Sequence, residues 1–245
     1  MLLFIFFDPE ADCRGEAMSL YKEILPVMII GLMFAIAFYA EQRVATNAQG
    51  NLVSYPSMGT SAAGLSEKVV GIYLLPIMTL IVYVGLLLIP KVEHYHKNLE
   101  DFAEQFWGFK VILVFAMGIV YLATLLPNLG YFTRLDPVLI MIAAVSMLFF
   151  YVGYMLNFTK RNHFIGIGTP WTLANEKVWE KTNQLGSKLF WICGALALVS
   201  MVSPADSRLW LILLPVILVV IVLFFYSLRE YNKTKVIHDN KRRKK

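Results

Sequence analysis

Charge is missing from six long stretches of this chain, and that absence decides its class. No Asp, Glu, Lys or Arg occurs in residues 24–40, 69–90, 111–133, 137–159, 189–205 or 209–228. A helix needs about 20 apolar residues to cross the hydrocarbon core, with about 17 as the lower bound. Each run meets that bound. The chain is 58% hydrophobic with a mean hydropathy of +0.62, more apolar than a soluble domain. The runs are continuous rather than alternating, which excludes a transmembrane barrel. Helices are the other way to satisfy every backbone group in lipid. The sequence therefore predicts an all-α polytopic membrane protein with six transmembrane helices. The first carries Pro26, and the fifth is expected to begin before its charge-free run, near Leu185.

Chemistry-bearing residues are scarce as well. The two cysteines, Cys13 and Cys193, form neither a disulfide framework nor a metal spacing. His94 and His96 are two apart and point to different helix faces, while His163 and His238 stand alone. There is no HExxH, nucleophile elbow or phosphate loop. No catalytic residue, metal or cofactor is expected, and the chain reads as a non-enzyme. The six runs also lack histidine. Ion-coupled transporters and pumps rely on ionisable groups at membrane depth, so coupled transport is disfavoured. Gly31, Gly71, Gly85, Gly118, Gly153 and Gly194 within the runs read as sites of close helix packing.

Positive charge is present but one-sided. With the N-terminus inside, 18 of the 22 Lys and Arg fall in inner segments and four, Arg43, Lys68, Arg134 and Arg208, in outer loops. That asymmetry predicts an N-in, C-in arrangement. The domain organisation follows. Residues 1–22 form an inner segment, of which 1–17 are either a start-site artefact ahead of Met18 or an interfacial appendage. Their short apolar start is not expected to act as a signal peptide. Residues 23–110 form a first hairpin with outer loop 41–68 and inner loop 91–110. In that inner loop, Leu99, Phe102, Phe106 and Phe109 mark a helical apolar face. Residues 111–228 form a four-helix region with an inner loop at 160–188. The basic tail, 229–245, is expected to lie against anionic lipid rather than nucleic acid. Short linkers make spans three and four, and spans five and six, antiparallel neighbours.

The inner loop at 160–188 combines charge, Gly, Pro and Trp at tight spacing. Gly166 and Gly168 allow a sharp turn. Thr169-Pro170 or Thr172 then starts a helix, since Thr caps well and Pro suits the first turn. Glu176 lies near the positive helix end. Val178, Thr182, Leu185 and Leu189 make an amphipathic approach into span five. Trp171 and Trp179 read as interface anchors, and Asn162 and Glu176 as surface groups whose loss leaves folding almost intact. Taken alone, these features describe a well-made re-entry turn.

The stretch FIGIGTPWTLANEKVW, residues 164–179, also resembles the signature of the SdpI family of multi-spanning membrane proteins. The family pattern is similar to Asn-x-x-x-Gly-Ile-Arg-Thr-Pro-Trp-Thr-Leu followed by Val-Trp-x-x-Thr-His. This chain supplies Asn162, Gly166, Ile167, Thr169, Pro170, Trp171, Thr172, Leu173, Val178, Trp179 and Thr182. The family Arg falls on Gly168 and the family His on Asn183. A second resemblance, to an N-terminal domain of unknown function, rests on Asn47, Gly50 and Tyr55. The His and aromatic of that pattern fall on Ala45 and Thr46. The family resemblance implies immunity to a membrane-active toxin. It also implies toxin sensing, with a transcriptional repressor held at the membrane. The inner loop is then the docking surface for the repressor and the outer loop faces the toxin. The alternatives are a small uncoupled transporter or channel, and a structural membrane protein without a ligand.

Overall fold

The computed structural model describes residues 13–43, 67–92, 102–131 and 136–243, with side chains over 22–43, 71–90, 102–131 and 136–235. Seven α-helices account for nearly all of them: α1 (Cys13–Arg43), α2 (Glu67–Val92), α3 (Ala103–Leu125), α4 (Pro137–Leu156), the short α5 (Pro170–Ala174), α6 (Glu176–Ser200) and α7 (Ala205–Arg243). The outer-loop candidates Asn47, Gly50 and Tyr55 lie outside the described residues, as do His94, His96 and Leu99.

Among the described residues, five helices are long and apolar enough to cross a membrane, over Lys22–Arg43, Gly71–Pro90, Ala103–Leu129, Pro137–Leu156 and Ala205–Lys235. The remaining expected span, 189–205, starts in the second half of α6 and runs past its end at Ser200 to the start of α7; the first half of α6 carries Glu176, Lys177, Glu180, Lys181 and Lys188. Met28, Phe38, Ile81, Val220 and Phe225 are among many large apolar side chains left exposed along these helices. A water-soluble monomer rarely shows so much contiguous apolar surface. On the inside, Thr79 and Ser146 turn their hydroxyls back to the carbonyls of Leu75 and Ile142, four residues earlier. No backbone partner is taken from another helix by these bonds.

Helices α1, α2 and α3 pack together around Met33, Ala37, Ile72 and Tyr121. Helix α4 lies against α3 on one side and α6 on the other, and α7 covers α6. A 3₁₀ turn, Leu126–Leu129, ends α3 and is closed by Gly130 at φ 84°. Asp136 caps α4 by accepting from the Val138 N–H at 2.9 Å, with Pro137 in the first turn. Asp136 also accepts from Arg208 Nη1 at 2.9 Å, which ties the start of α4 to the start of α7. The expected α3/α4 and α6/α7 neighbours are thus in contact.

The α4–α6 crossing is close because small residues meet large ones. A Cβ on Gly153 would lie 2.6 Å from the Trp191 ring, and one on Gly194 would lie 2.9 Å from Phe150. Gly31 and Gly85 differ from expectation, since a Cβ there meets nothing within 4 Å.

A second difference concerns charge. The expected spans were free of ionisable groups, but α1 and α3 extend past the ends of the charge-free runs. Glu23 of α1 pairs with Lys110 of α3 and accepts from the Tyr83 hydroxyl of α2 at 2.7 Å. Lys110 is 6% exposed. A scan for uncharged runs stops at the first charge, whereas a helix continues when a partner on its neighbour neutralises that charge.

Candidate functional site

The site is the loop between α4 and α6, and Asn162 organises its first turn. Its Oδ1 accepts from the N–H groups of Phe164 and Ile165 at 3.0 and 2.6 Å. Its Nδ2 donates to the carbonyls of Lys160 and Ile165 at 2.7 and 2.9 Å. The residue is fully buried. The expectation of a dispensable surface group is therefore corrected: an Asn side chain can satisfy backbone groups in place of a second strand or helix turn, and here it satisfies four. Arg161 reaches across the loop to donate to the Leu173 carbonyl at 3.2 Å.

Trp179 is likewise not an interface anchor. It is 1% exposed, and its indole N–H donates to the Thr159 carbonyl at 2.9 Å. It sits in the first turns of α6, and the loop wraps it. Gly166 lies above this ring with φ 120°, and a Cβ there would come within 2.8 Å of the indole and 2.9 Å of Asn183 Oδ1. Only glycine meets both constraints readily. Gly168 differs: its φ is not positive, and a Cβ meets nothing within 4 Å.

Asn183 completes the inner surface of the turn. Its Oδ1 accepts from the Ile167 N–H at 2.9 Å and its Nδ2 donates to the Trp179 carbonyl at 3.0 Å. The Ile167 side chain in turn fills the notch at Gly186, where a Cβ would lie 2.2 Å from its tip. Val178 and Thr182 are buried on the same helix. Among the described residues, the Thr182 hydroxyl finds no hydrogen-bond partner.

The second turn is a capping box. Thr169 accepts from the Thr172 N–H at 3.3 Å, and Thr172 Oγ1 accepts from the Thr169 N–H at 2.8 Å. Pro170 occupies the first position of α5, as the sequence predicted. A second cap follows at once. Asn175 accepts from Lys177 and Val178 N–H at 3.0 and 3.3 Å and starts α6, with Glu176 exposed in its first turn. An Asn followed by an acidic residue is a recognisable N-terminal signal.

Sequence spacing also gave no sign that the loop is fastened to α7. Thr169 Oγ1 donates to Ser227 Oγ at 3.1 Å. The Trp171 ring meets Phe224 edge-on at 5.0 Å between centroids. Lys181 pairs with Glu230 at 2.7 Å, and that hydrogen bond holds the lysine amine above its ordinary pKa. Glu230 also receives Lys233, at 2.6 Å.

Between the end of α4 and the start of α6 is a polar recess of about 80 Å³, bordered by Thr159, Lys160, Glu180, Asn183 and Gln184. It is large enough for a few waters. Among the described residues, no group of three His, Cys, Asp or Glu is placed to hold a metal. The arrangement is a rigid, hydrogen-bonded surface with both signs of charge at its rim, suited to recognition.

Comparison with known proteins finds a family match that includes this loop. No solved structure matches the chain. The immunity protein SdpI of Bacillus subtilis is 26% identical over 220 residues, covering 90% of this chain and 99% of that protein. The SdpI/YfhL protein family matches residues 159–227, from the carbonyl that receives Trp179 to the serine that receives Thr169. With its apolar helices, the chain is a multi-pass cell-membrane protein, and its resemblance to the SdpI family is borne out on both matches.

Proposed function

We propose that this protein confers immunity on the membrane that carries it, protecting the cell from a membrane-active peptide toxin. The observation that carries the reading is the built signature loop, with its fully buried Asn162, Trp179 and Asn183, in a chain similar along 90% of its length to an immunity protein. In this reading the chain crosses the bilayer six times with both ends inside, and α6 supplies the additional crossing. The loop then faces the cytoplasm, where Glu176 and Lys177 are exposed to a partner. That partner is a transcriptional repressor held at the membrane when toxin is sensed. The toxin meets the opposite face, at residues 41–68. Survival under toxin is the test: cells expressing the chain should tolerate a cognate depolarising peptide better than cells without it. Equal killing, with the protein shown to be inserted, would leave the reading without support.

A second reading, a small uncoupled channel, is favoured by one observation. Glu23, Tyr83 and Lys110 place polar groups from three helices together within apolar helices. Ion flux through liposomes containing the purified chain distinguishes it.

A further inference from the structure

A cleft on the loop side of the helices has the polarity of a lipid. It has two compartments. The first, of about 450 Å³, lies between the start of α1, the start of α3 and the end of α4, and is bordered by Lys22, Gln105 and Trp107. The second, of about 500 Å³, runs along α4 between α3 and α6 and is bordered by Ile112, Ala143, Met147, Phe150 and Trp191. Tyr151 and Tyr154 border both, so the compartments adjoin.

We propose that this cleft binds one phospholipid, with its phosphate at Lys22 and an acyl chain along α4. Length supports the assignment. Ala143 and Tyr154 are eleven residues apart on one helix, about 16 Å at 1.5 Å per residue, which is about half of a hydrocarbon core roughly 30 Å thick. The apolar compartment is thus one leaflet deep. Chemistry supports it too. The Lys22 side chain is 40% exposed, and its acidic neighbour, Glu104, is at 4.0 Å and 84% exposed. So loose a pair leaves the ammonium free to take a phosphate. The Trp107 ring lies 6.0 Å below that ammonium, and its N–H is already used on the Lys22 carbonyl at 2.6 Å. The indole therefore fixes the position of the cation rather than competing for the ligand. Tyr154, at the boundary, adds a phenol where glycerol and ester groups would lie.

The walls of the apolar compartment are rigid. Tyr151 donates to the Gln105 carbonyl at 2.8 Å, and Phe150 meets Trp191 edge-on at 5.3 Å. A second copy of the chain or an apolar helix would fill the groove along α4 but bring no anion to Lys22. An amphiphile fills both, in the observed order.

The test uses the full chain, extracted in mild detergent and analysed by native mass spectrometry after reconstitution with phosphatidylglycerol or phosphatidylcholine. The wild type should retain one phospholipid from either source. Ala143→Trp should block the groove, and Lys22→Gln should remove the phosphate partner without touching the apolar compartment. Lys22→Gln should lower lipid occupancy by about tenfold, the worth of one charge-assisted contact, and Ala143→Trp should lower it by filling the space of the acyl chain. Ile221→Trp, on an exposed face of α7, should leave occupancy unchanged. Membrane abundance and monodispersity of each variant show whether it is folded. Two results overturn the proposal. One is equal retention in wild type and Lys22→Gln. The other is a disulfide-linked dimer through Ala143→Cys, which would mark the groove as an interface between copies.

Discussion

The indole of Trp179 donates to the carbonyl of Thr159, twenty residues earlier, at 2.9 Å. The bond joins the end of α4 to the start of α6 and sets the size of the loop between them. Trp179→Phe removes the donor and leaves that carbonyl unmet, a loss of about 1–3 kcal/mol. Trp179→Ala adds a cavity, for about 3–5 kcal/mol in all. Thermal aggregation of the purified protein should rank wild type above Phe and Phe above Ala. A parallel series at the half-buried Trp171 should be flatter. Equal slopes at the two positions would mean that Trp179 is only an interface anchor.

Asn162 and Glu176 differ sharply in their surroundings. Asn162 makes four hydrogen bonds while fully buried, so Asn162→Ala should lower stability by about 2 kcal/mol or more. Glu176 is exposed, and its replacement by Ala should stay within about 0.5 kcal/mol. If Glu176→Ala also abolishes toxin survival at normal abundance, the loop rim is a recognition surface. Survival that simply follows abundance in both variants would make the loop a structural turn.

The two glycines of the turn should respond in opposite ways. Gly166→Val places a β-branched residue at φ 120° and against the indole, so the protein should fail to accumulate. Gly168→Arg enters open space and should accumulate normally. Since it restores the family residue, it should raise protection if the natural glycine weakens it. Loss of abundance in Gly168→Arg would show that the space is occupied in the membrane.

The Glu23–Lys110 pair should behave as a buried ion pair. Lys110→Met alone leaves the partly buried Glu23 carboxylate with the Tyr83 hydroxyl as its partner and should cost about 1–3 kcal/mol. Glu23→Gln with Lys110→Met removes both charges and should recover most of that loss. A double-mutant cycle on thermal stability measures the coupling. Additive effects would mean that the two side chains do not meet.

Orientation is open to direct labelling. Cysteines introduced singly at Asn51 and Ser207, in a background lacking Cys13 and Cys193, should react with an impermeant thiol reagent in intact cells. Those at Asn175 and Asn240 should be protected. Labelling of Asn175 from outside would put the signature loop on the wrong face.

Helix positions were readable from the sequence because lipid imposes a length and forbids charge, and both leave marks on a linear chain. The helical cap at Thr169 was legible because it is local, a Thr-Pro pair that needs only its own neighbours. What the loop does with Asn162, Trp179 and Asn183 was not legible. Their partners are backbone groups brought near by folding, and polarity alone suggests solvent. The attachment of Thr169 to Ser227 spans 58 residues, a distance over which no periodicity reports. Glu23 and Lys110 were hidden in another way: each ended an uncharged run, and only their meeting across 87 residues lets the helices continue.

Helix α7 runs unbroken for 39 residues, about 58 Å at 1.5 Å per residue. A hydrocarbon core of roughly 30 Å leaves close to half of that rod outside it. The Thr169, Trp171 and Lys181 contacts grip the rod at Ser227, Phe224 and Glu230, near the point where it emerges. A grip so close to the pivot gives the loop a long lever arm. A tilt of about 10° there would carry the far end of a roughly 28 Å projection by about 5 Å, so a small adjustment of the turn would be felt as a large displacement of the basic helix end.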